Sequence, residues 1–171
     1  NDLLVGLPSS GFHSNGYSLI RKVIKNENLK WDSPNPINKN SLIKEELLLP
    51  TKIYQKILSP LVSNKIISGL SHITGGGITE NLPRILPKNL SFKINLDKWE
   101  MPRLMSWIIK KSEMSEAEAL KTFNCGIGMI CVVSKNNIQK FIDYFKNINE
   151  DFYLIGEVTN TKSFSFKGSL F

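Results

Sequence analysis

Only two histidines occur in the chain, His13 and His72, and each stands beside a glycine turn. Imidazole takes up or gives a proton near neutral pH, or orients a bound group as a neutral donor. The first lies in LPSSGFHSNG, where Ser9, Ser10, Gly11, His13, Ser14, Asn15 and Gly16 crowd a turn between an apolar run and a helical pattern. Helix starts expose unpaired N–H groups and partial positive charge, which suits anions. Ser14 or Asn15 is the expected helix cap. A cap needs one such side chain and this turn offers five, so a binding site is the better reading of the two.

The second histidine opens HITGGGITENLPRILP, His72 to Pro87. Glycine loses more backbone freedom on folding than any other residue, so three together imply a close backbone approach or positive φ. Successive N–H groups in such a loop can form an anion nest. Thr74, Glu80, Asn81 and Arg84 surround Gly75, Gly76 and Gly77 with hydroxyl, carboxylate, amide and guanidinium groups. The loop is not a P-loop, since the lysine and hydroxyl that follow the last glycine of that motif are missing. Taken singly, either histidine reads as a satisfied, partly buried imidazole. Two glycine turns with a histidine each shift the balance toward a site. A third segment, TFNCGIGM, reads as structural: Asn124 as a helix C-cap, Gly126 and Gly128 as a bulge or a close backbone approach.

Several function classes fall away. Cys125 and Cys131 lack metal-ligand spacing and read as buried small hydrophobes, so no metal site is expected. The net charge of +7 comes from scattered lysines, with Arg21, Arg84 and Arg103 the only arginines. Nucleic-acid sites cluster their cations around aromatic platforms, and no cluster is present. No apolar run is long enough to span a membrane and no signal-peptide pattern is seen, so a cytoplasmic location is expected.

The elements that must hold these turns alternate without a strict βαβ rhythm. Strands are expected at Asp2–Leu7, at KIISGLSHIT, at Leu90–Leu96, in GIGMICVV and in FYLIGEV, with SFSFKG as an edge strand. Helices are expected in YSLIRKVIKNE, SLIKEELLLP, TKIYQKILSPLVSN, PRLMSWIIKKS, SEAEALKTF (capped by Ser115 with Glu118) and NNIQKFIDYFKNI. Ile53, Ile57, Leu58 and Leu61 should share a helix face that Pro60 kinks or ends, and a further helix should start near Thr79 to Leu82 with Pro83 in its first turn. Residues 28–40 read as the least ordered stretch. The expected class is α+β, a three-layer α/β/α sandwich around a mixed β-sheet, with residues 1–171 as a single domain.

LVGLPSSGFHSNGYSLIRKV, HITGGGITENLPRILP and FNCGIGMICVV together resemble the C-terminal domain of the phosphoribosylformylglycinamidine cyclo-ligases, or aminoimidazole ribonucleotide synthetases. LLLPTKIY, Trp99 with MPRLMSWI, and IGEV fit the family in order, so the resemblance spans essentially the whole chain. It implies ATP-dependent closure of the imidazole ring in purine biosynthesis. His13 and His72 would act catalytically. Ser10, Gly11, Ser14, Asn15, Gly16, Thr74, Gly75, Gly76, Gly77, Glu80, Asn81 and Arg84 would contact substrate or nucleotide. In that family an N-terminal half, which holds ATP and Mg²⁺ and builds a homodimer, precedes DLLVGL. Its absence here implies a C-terminal fragment or separately made domain that folds without turnover. Competing readings are a non-catalytic ribotide- or anion-binding module, and the sibling enzymes selenophosphate synthetase, thiamine-monophosphate kinase, a hydrogenase-maturation protein and formylglycinamidine ribonucleotide synthase.

Overall fold

The run LLVGLP carries apolar residues toward both faces, and such a strand is stable only with cover on each side. In the computed structural model, which describes all 171 residues, this segment is β1 (Leu3–Pro8), paired on both edges. The other strands are β2 (Ile67–His72), β3 (Ser91–Asn95), β4 (Ile127–Val133), β5 (Tyr153–Thr159) and β6 (Ser165–Lys167). They form one sheet in the order β2-β4-β1-β5-β3-β6, antiparallel except for the parallel β3–β6 pair. SFSFKG is thus the edge strand its pattern suggests.

Seven helices pack on this sheet: α1 (Tyr17–Asn26), α2 (Ile43–Leu47), α3 (Gln55–Ser63), α4 (Gly77–Asn81), α5 (Arg103–Lys111), α6 (Glu116–Thr122) and α7 (Ile138–Asn147). Successive strand residues point to opposite faces. Leu4, Ile130 and Val132 join a large core with Ile20, Val23, Leu104, Ile108 and Leu120 of α1, α5 and α6. Val5, Leu7, Cys131 and Val133 join a smaller core with Leu58 and Leu61 of α3 and Phe141 and Phe145 of α7. The result is the expected three-layer sandwich of α+β class. Both cysteines are buried and unpaired, and burial pushes both thiols above their ordinary range.

Several local expectations are corrected. Residues 28–40 hold no helix or strand, as expected, though Asn35 orders them as a buried amide that donates to Glu46 Oε2 (2.8 Å) and accepts from the Ile37 amide (2.9 Å). The helix expected up to Pro50 stops after Leu47, and residues 48–54 cross to α3 without helix. Ile53 is therefore 73% exposed and lies off the helix face. Pro60 does not end α3, which runs on to Ser63. The proline and Lys56 are both exposed, so the Lys56 carbonyl left without its helical partner faces water. α4 begins at Gly77, earlier than expected, and passes into a 3-10 turn over Leu82–Ile85 that holds Pro83 in its first turn. The Ser115–Glu118 capping box is present as expected.

The smaller core depends on an aromatic stack. Phe141 lies parallel to Phe145 with ring centroids 4.5 Å apart, and Phe152 meets both edge-on. Phe141→Ala is expected to cost about 3–5 kcal/mol, measured as a lowered urea midpoint with unchanged slope.

Candidate functional site

Three loops meet at one end of the sheet because of its strand order. β4 lies between β2 and β1 and runs against both, so its first residues stand beside their last ones: Pro8 opposite Ile127, and His72 opposite Met129. Backbone bonds close the junction, from Ser9 N to the Gly126 carbonyl (2.8 Å) and from Ile73 N to the Gly128 carbonyl (2.9 Å). Asn124 ties the loops further. It is fully buried, donates from Nδ2 to the Gly11 carbonyl (2.8 Å), and accepts at Oδ1 from Gly126 N (2.9 Å) and Ser9 Oγ (3.2 Å). Its side chain is a tie between loops, not the helix C-cap that its position suggested.

His13 and His72 come together here with Tyr54. The three ring centroids form a nearly equilateral triangle with sides of 6.1 to 6.3 Å. His13 Nε2 accepts from Ser10 N (3.0 Å) and Lys52 N (3.4 Å), while Ser10 Oγ donates to the Pro50 carbonyl (2.6 Å). A nitrogen that faces two backbone N–H groups carries the lone pair, which assigns the ring proton to Nδ1. His13 is only 6% exposed. Burial, and then the nearby His72, lower its pKa from 6.5 to about 4. At neutral pH His13 is an uncharged donor. His72 is exposed at the end of the edge strand β2 and is the imidazole a solute can reach. It stands at the mouth of a cavity of about 470 Å³ walled by Tyr54, Leu58, Val62, Leu70 and Met129.

The glycine triplet divides its work. A Cβ on Gly77 would fall 2.0 Å from the Leu120 carbonyl, so this glycine seats α4 against α6. Gly76 adopts φ 98° as the residue that starts α4. Gly75 faces open space, with only Asn15 Oδ1 within reach, 3.9 Å from its Cβ position. Asn81 is consumed inside the loop. Its Nδ2 donates to the carbonyls of Gly77 (2.7 Å) and Gly75 (3.2 Å), and its Oδ1 accepts from Thr74 Oγ1 (3.1 Å). Glu80 is exposed and pairs with Arg84 (3.9 Å) and Lys121 (3.4 Å).

The first loop also departs from expectation. Neither Ser14 nor Asn15 caps α1; Gly16 starts the helix at φ 70° with no side-chain cap. Gly16 is a glycine because a Cβ would enter the Phe123 ring, 2.2 Å from Cε1. Ser14 is exposed and lines a separate hollow with Tyr17, Arg21, Leu48 and Leu49. The expected set thus splits. His13, His72, Asn15, Gly75 and the Ser10 that holds His13 gather at the junction. Gly11, Gly16, Thr74, Gly76, Gly77 and Asn81 build it, and Glu80 and Arg84 pair with each other on the surface. Tyr54 was missed, since it lies in a loop without glycine or histidine to mark it. Its hydroxyl donates to the Pro8 carbonyl (2.8 Å), which fixes its ring as the third corner beside the two imidazoles.

The family model described as AIR synthase related protein, C-terminal domain, matches residues 1–169. The chain belongs to this family. Among curated relatives, it is 42% identical over 161 residues to the bifunctional purine biosynthetic protein PUR2,5 of Pichia angusta, covering 94% of the chain and 20% of that protein. It is 40% identical over 157 residues to the bifunctional purine biosynthetic protein ADE5,7 of Saccharomyces cerevisiae, covering 92% of the chain and again 20% of that protein. The chain therefore spans about a fifth of the curated relatives it matches. Solved structures share this fold at lower identity. A thiamine-monophosphate kinase from Stenotrophomonas maltophilia K279a superposes with TM-score 0.62 at 10% identity, over 99% of this chain and 51% of that one. The HypE-HypF complex gives 0.61 at 17% identity, over 98% and 49%. T. maritima PurL complexed with FGAR gives 0.55 at 14%, over 99% and 26%.

Two outcomes test this geometry. The unfolded chain protonates His13 near pH 6.5 and the folded one only near 4, so between these values the unfolded state binds more protons. Stability is complete above that window and falls as pH drops through it, by roughly 3 kcal/mol. Urea titrations at pH 7, 5.5 and 4.5 read the loss, and His13→Asn should flatten it. Gly77→Ala, which meets both positive φ and the Leu120 carbonyl, is expected to destabilise by well over ~1 kcal/mol, seen as a drop in thermal midpoint.

Proposed function

We propose that this chain contributes one wall of the active site of an ATP-dependent cyclo-ligase that converts formylglycinamidine ribonucleotide to aminoimidazole ribonucleotide, ADP and phosphate. The observation that carries the reading is the 42% identity, across 94% of the chain, to a bifunctional purine biosynthetic protein. The convergence of the two histidine-bearing glycine loops gives that identity a place to act. In the reaction the formyl-amide oxygen takes the γ-phosphoryl group of ATP. The amidine nitrogen then attacks the activated carbon, loses a proton, and expels phosphate as the imidazole closes. Ring closure needs a group that can take the proton from the attacking nitrogen, and a second that orients without charge. His72, exposed at the cavity mouth, suits the first role, and His13, buried and neutral, suits the second. Gly75 lets a ligand approach the loop backbone. Glu80 and Arg84 have a weaker claim to ligand contact, being paired with each other and with Lys121.

ATP with its Mg²⁺ would be held mainly by the remainder of a longer polypeptide, in line with relatives of which the chain covers 20%. That remainder would form the opposite wall of the cleft and the homodimer contact. Reading residues 1–171 as the C-terminal domain of such an enzyme also accounts for the open junction around His72. Cytoplasmic placement follows from the same reading, and no helix is long and apolar enough to cross a membrane.

The test is formation of aminoimidazole ribonucleotide from formylglycinamidine ribonucleotide, ATP and Mg²⁺, with the chain alone and with an N-terminal domain of the family added. Product is expected only in the mixture, and none with both parts folded and associated would sink the reading. In the active mixture His72→Ala should lower kcat/KM by about 10²–10⁴-fold.

A further inference from the structure

The cations around the two glycine loops are mostly engaged. Arg84 pairs with Glu80 (3.9 Å), Lys121 with the same carboxylate (3.4 Å), and Lys52 with Glu150 (2.7 Å). Arg21 is exposed on α1 and belongs to none of the chain's ion pairs. It lines a hollow of about 370 Å³ with Ser14, Tyr17, Leu48, Leu49 and Pro50. No carboxylate is among these residues, and none stands in the first turn of α1. A guanidinium left without a counter-charge beside an apolar wall attracts an anion more strongly than one surrounded by water.

The wall is fixed at both ends. The Tyr17 hydroxyl donates to the Leu47 carbonyl, and Ser10 Oγ donates to the Pro50 carbonyl (2.6 Å). The crossing segment that supplies Leu48, Leu49 and Pro50 to this hollow goes on to supply Lys52, Ile53 and Tyr54 to the cavity at His72. Pro50 and Ile53 are three residues apart, so the two linings come within about 11 Å of each other. A single ribotide can bridge that distance.

The composition of the hollow also separates two kinds of phosphate. A nucleoside triphosphate arrives with Mg²⁺, which is held through carboxylates, and the hollow has none. A monoester phosphate brings no metal and needs a cation with a few donors. Arginine offers a rigid fork of N–H groups that matches phosphate oxygens, and the exposed Ser14 hydroxyl stands in the same lining.

We infer that the Arg21 hollow is the subsite for the 5′-phosphate of the ribotide, with Arg21 as its cation and Ser14 as a donor beside it. This rests on the cyclo-ligase reading and deepens it, since it places that phosphate away from the glycine triplet and gives Arg21 the role that the sequence suggested for Arg84. No bond forms or breaks at this end of the substrate. Binding energy realised here holds the reacting end at His72.

The experiment compares Arg21→Gln with the parent in the complete polypeptide that carries this chain, using formylglycinamidine ribonucleotide and its dephosphorylated riboside as substrates. The variant should raise the ribonucleotide KM by about 10–100-fold, with the ATP KM and the thermal midpoint held. On the riboside, parent and variant should share one kcat/KM, because the group that Arg21 holds is gone. An equal loss on both substrates would overturn the proposal by making Arg21 a structural or interdomain residue. A raised ATP KM would overturn it in favour of a nucleotide phosphate, and an unchanged ribonucleotide KM would overturn it outright. Calorimetry with ribose 5-phosphate keeps the subsite apart from the reaction. Binding that Arg21→Gln removes would uphold the subsite even where no aminoimidazole ribonucleotide forms, and the cyclo-ligase reading alone would then fail. With neither product nor ribose 5-phosphate binding, both fall.

Discussion

One buried amide determines where the candidate site lies. Asn124 is wholly inaccessible, and its two polar atoms reach the Gly11 carbonyl, the Gly126 amide and the Ser9 hydroxyl. It therefore fastens the loop after β1 to the loop before β4 at the point where both leave the sheet. His13 follows Gly11 by two residues, and its ring closes over Gly128, two residues after Gly126. Loss of the amide would strand a buried carbonyl and a buried N–H, each a loss of about 1–3 kcal/mol. Lost order in the imidazole pair would accompany that loss of stability. Structure and candidate chemistry depend here on the same side chain.

The antiparallel placement of β4 between β1 and β2 makes the fastening effective. Had either neighbour run parallel to β4, its loop would leave from the opposite edge of the sheet and the two histidines would be separated by the full strand length. As built, they stand within one ring width of each other and yet in different environments. His13 is enclosed, receives two backbone N–H groups at one nitrogen and stays uncharged. His72 sits on the open edge strand. The buried ring is denied its charge by desolvation and by its exposed neighbour. Two identical side chains thus meet different environments from their positions alone.

How far the sequence discloses this can be judged residue by residue. Apolar runs and periodicities identify the strands, the helices and the edge strand, since burial on one or two faces leaves its mark at fixed spacing. The capping box at Ser115 is readable because its partner lies three residues away. Long-range partners leave no such trace. Nothing local says that Tyr54 reaches the Pro8 carbonyl, that Asn35 reaches Glu46, or that Asn124 joins two loops instead of capping a helix. The histidines and glycines are visible as a candidate set, but their division into those that meet at the junction and those that build it is a property of packing.

The glycine triplet shows why composition alone misleads. Three adjacent residues of one type satisfy three separate constraints: Gly77 a collision with the Leu120 carbonyl, Gly76 a left-handed helix start, and Gly75 an open approach beside Asn15. Only the last is available to a ligand. The close approach that a run of glycines implies is met for the most part by the protein's own backbone, with α6 as the partner. That internal approach is also what leaves Gly75 accessible. Gly77 packs under α6, and Asn81 bonds the carbonyls on either side of Gly76, so the loop's own polar groups are satisfied within it. Its first glycine faces Asn15, with no other neighbour within 4 Å of its Cβ position.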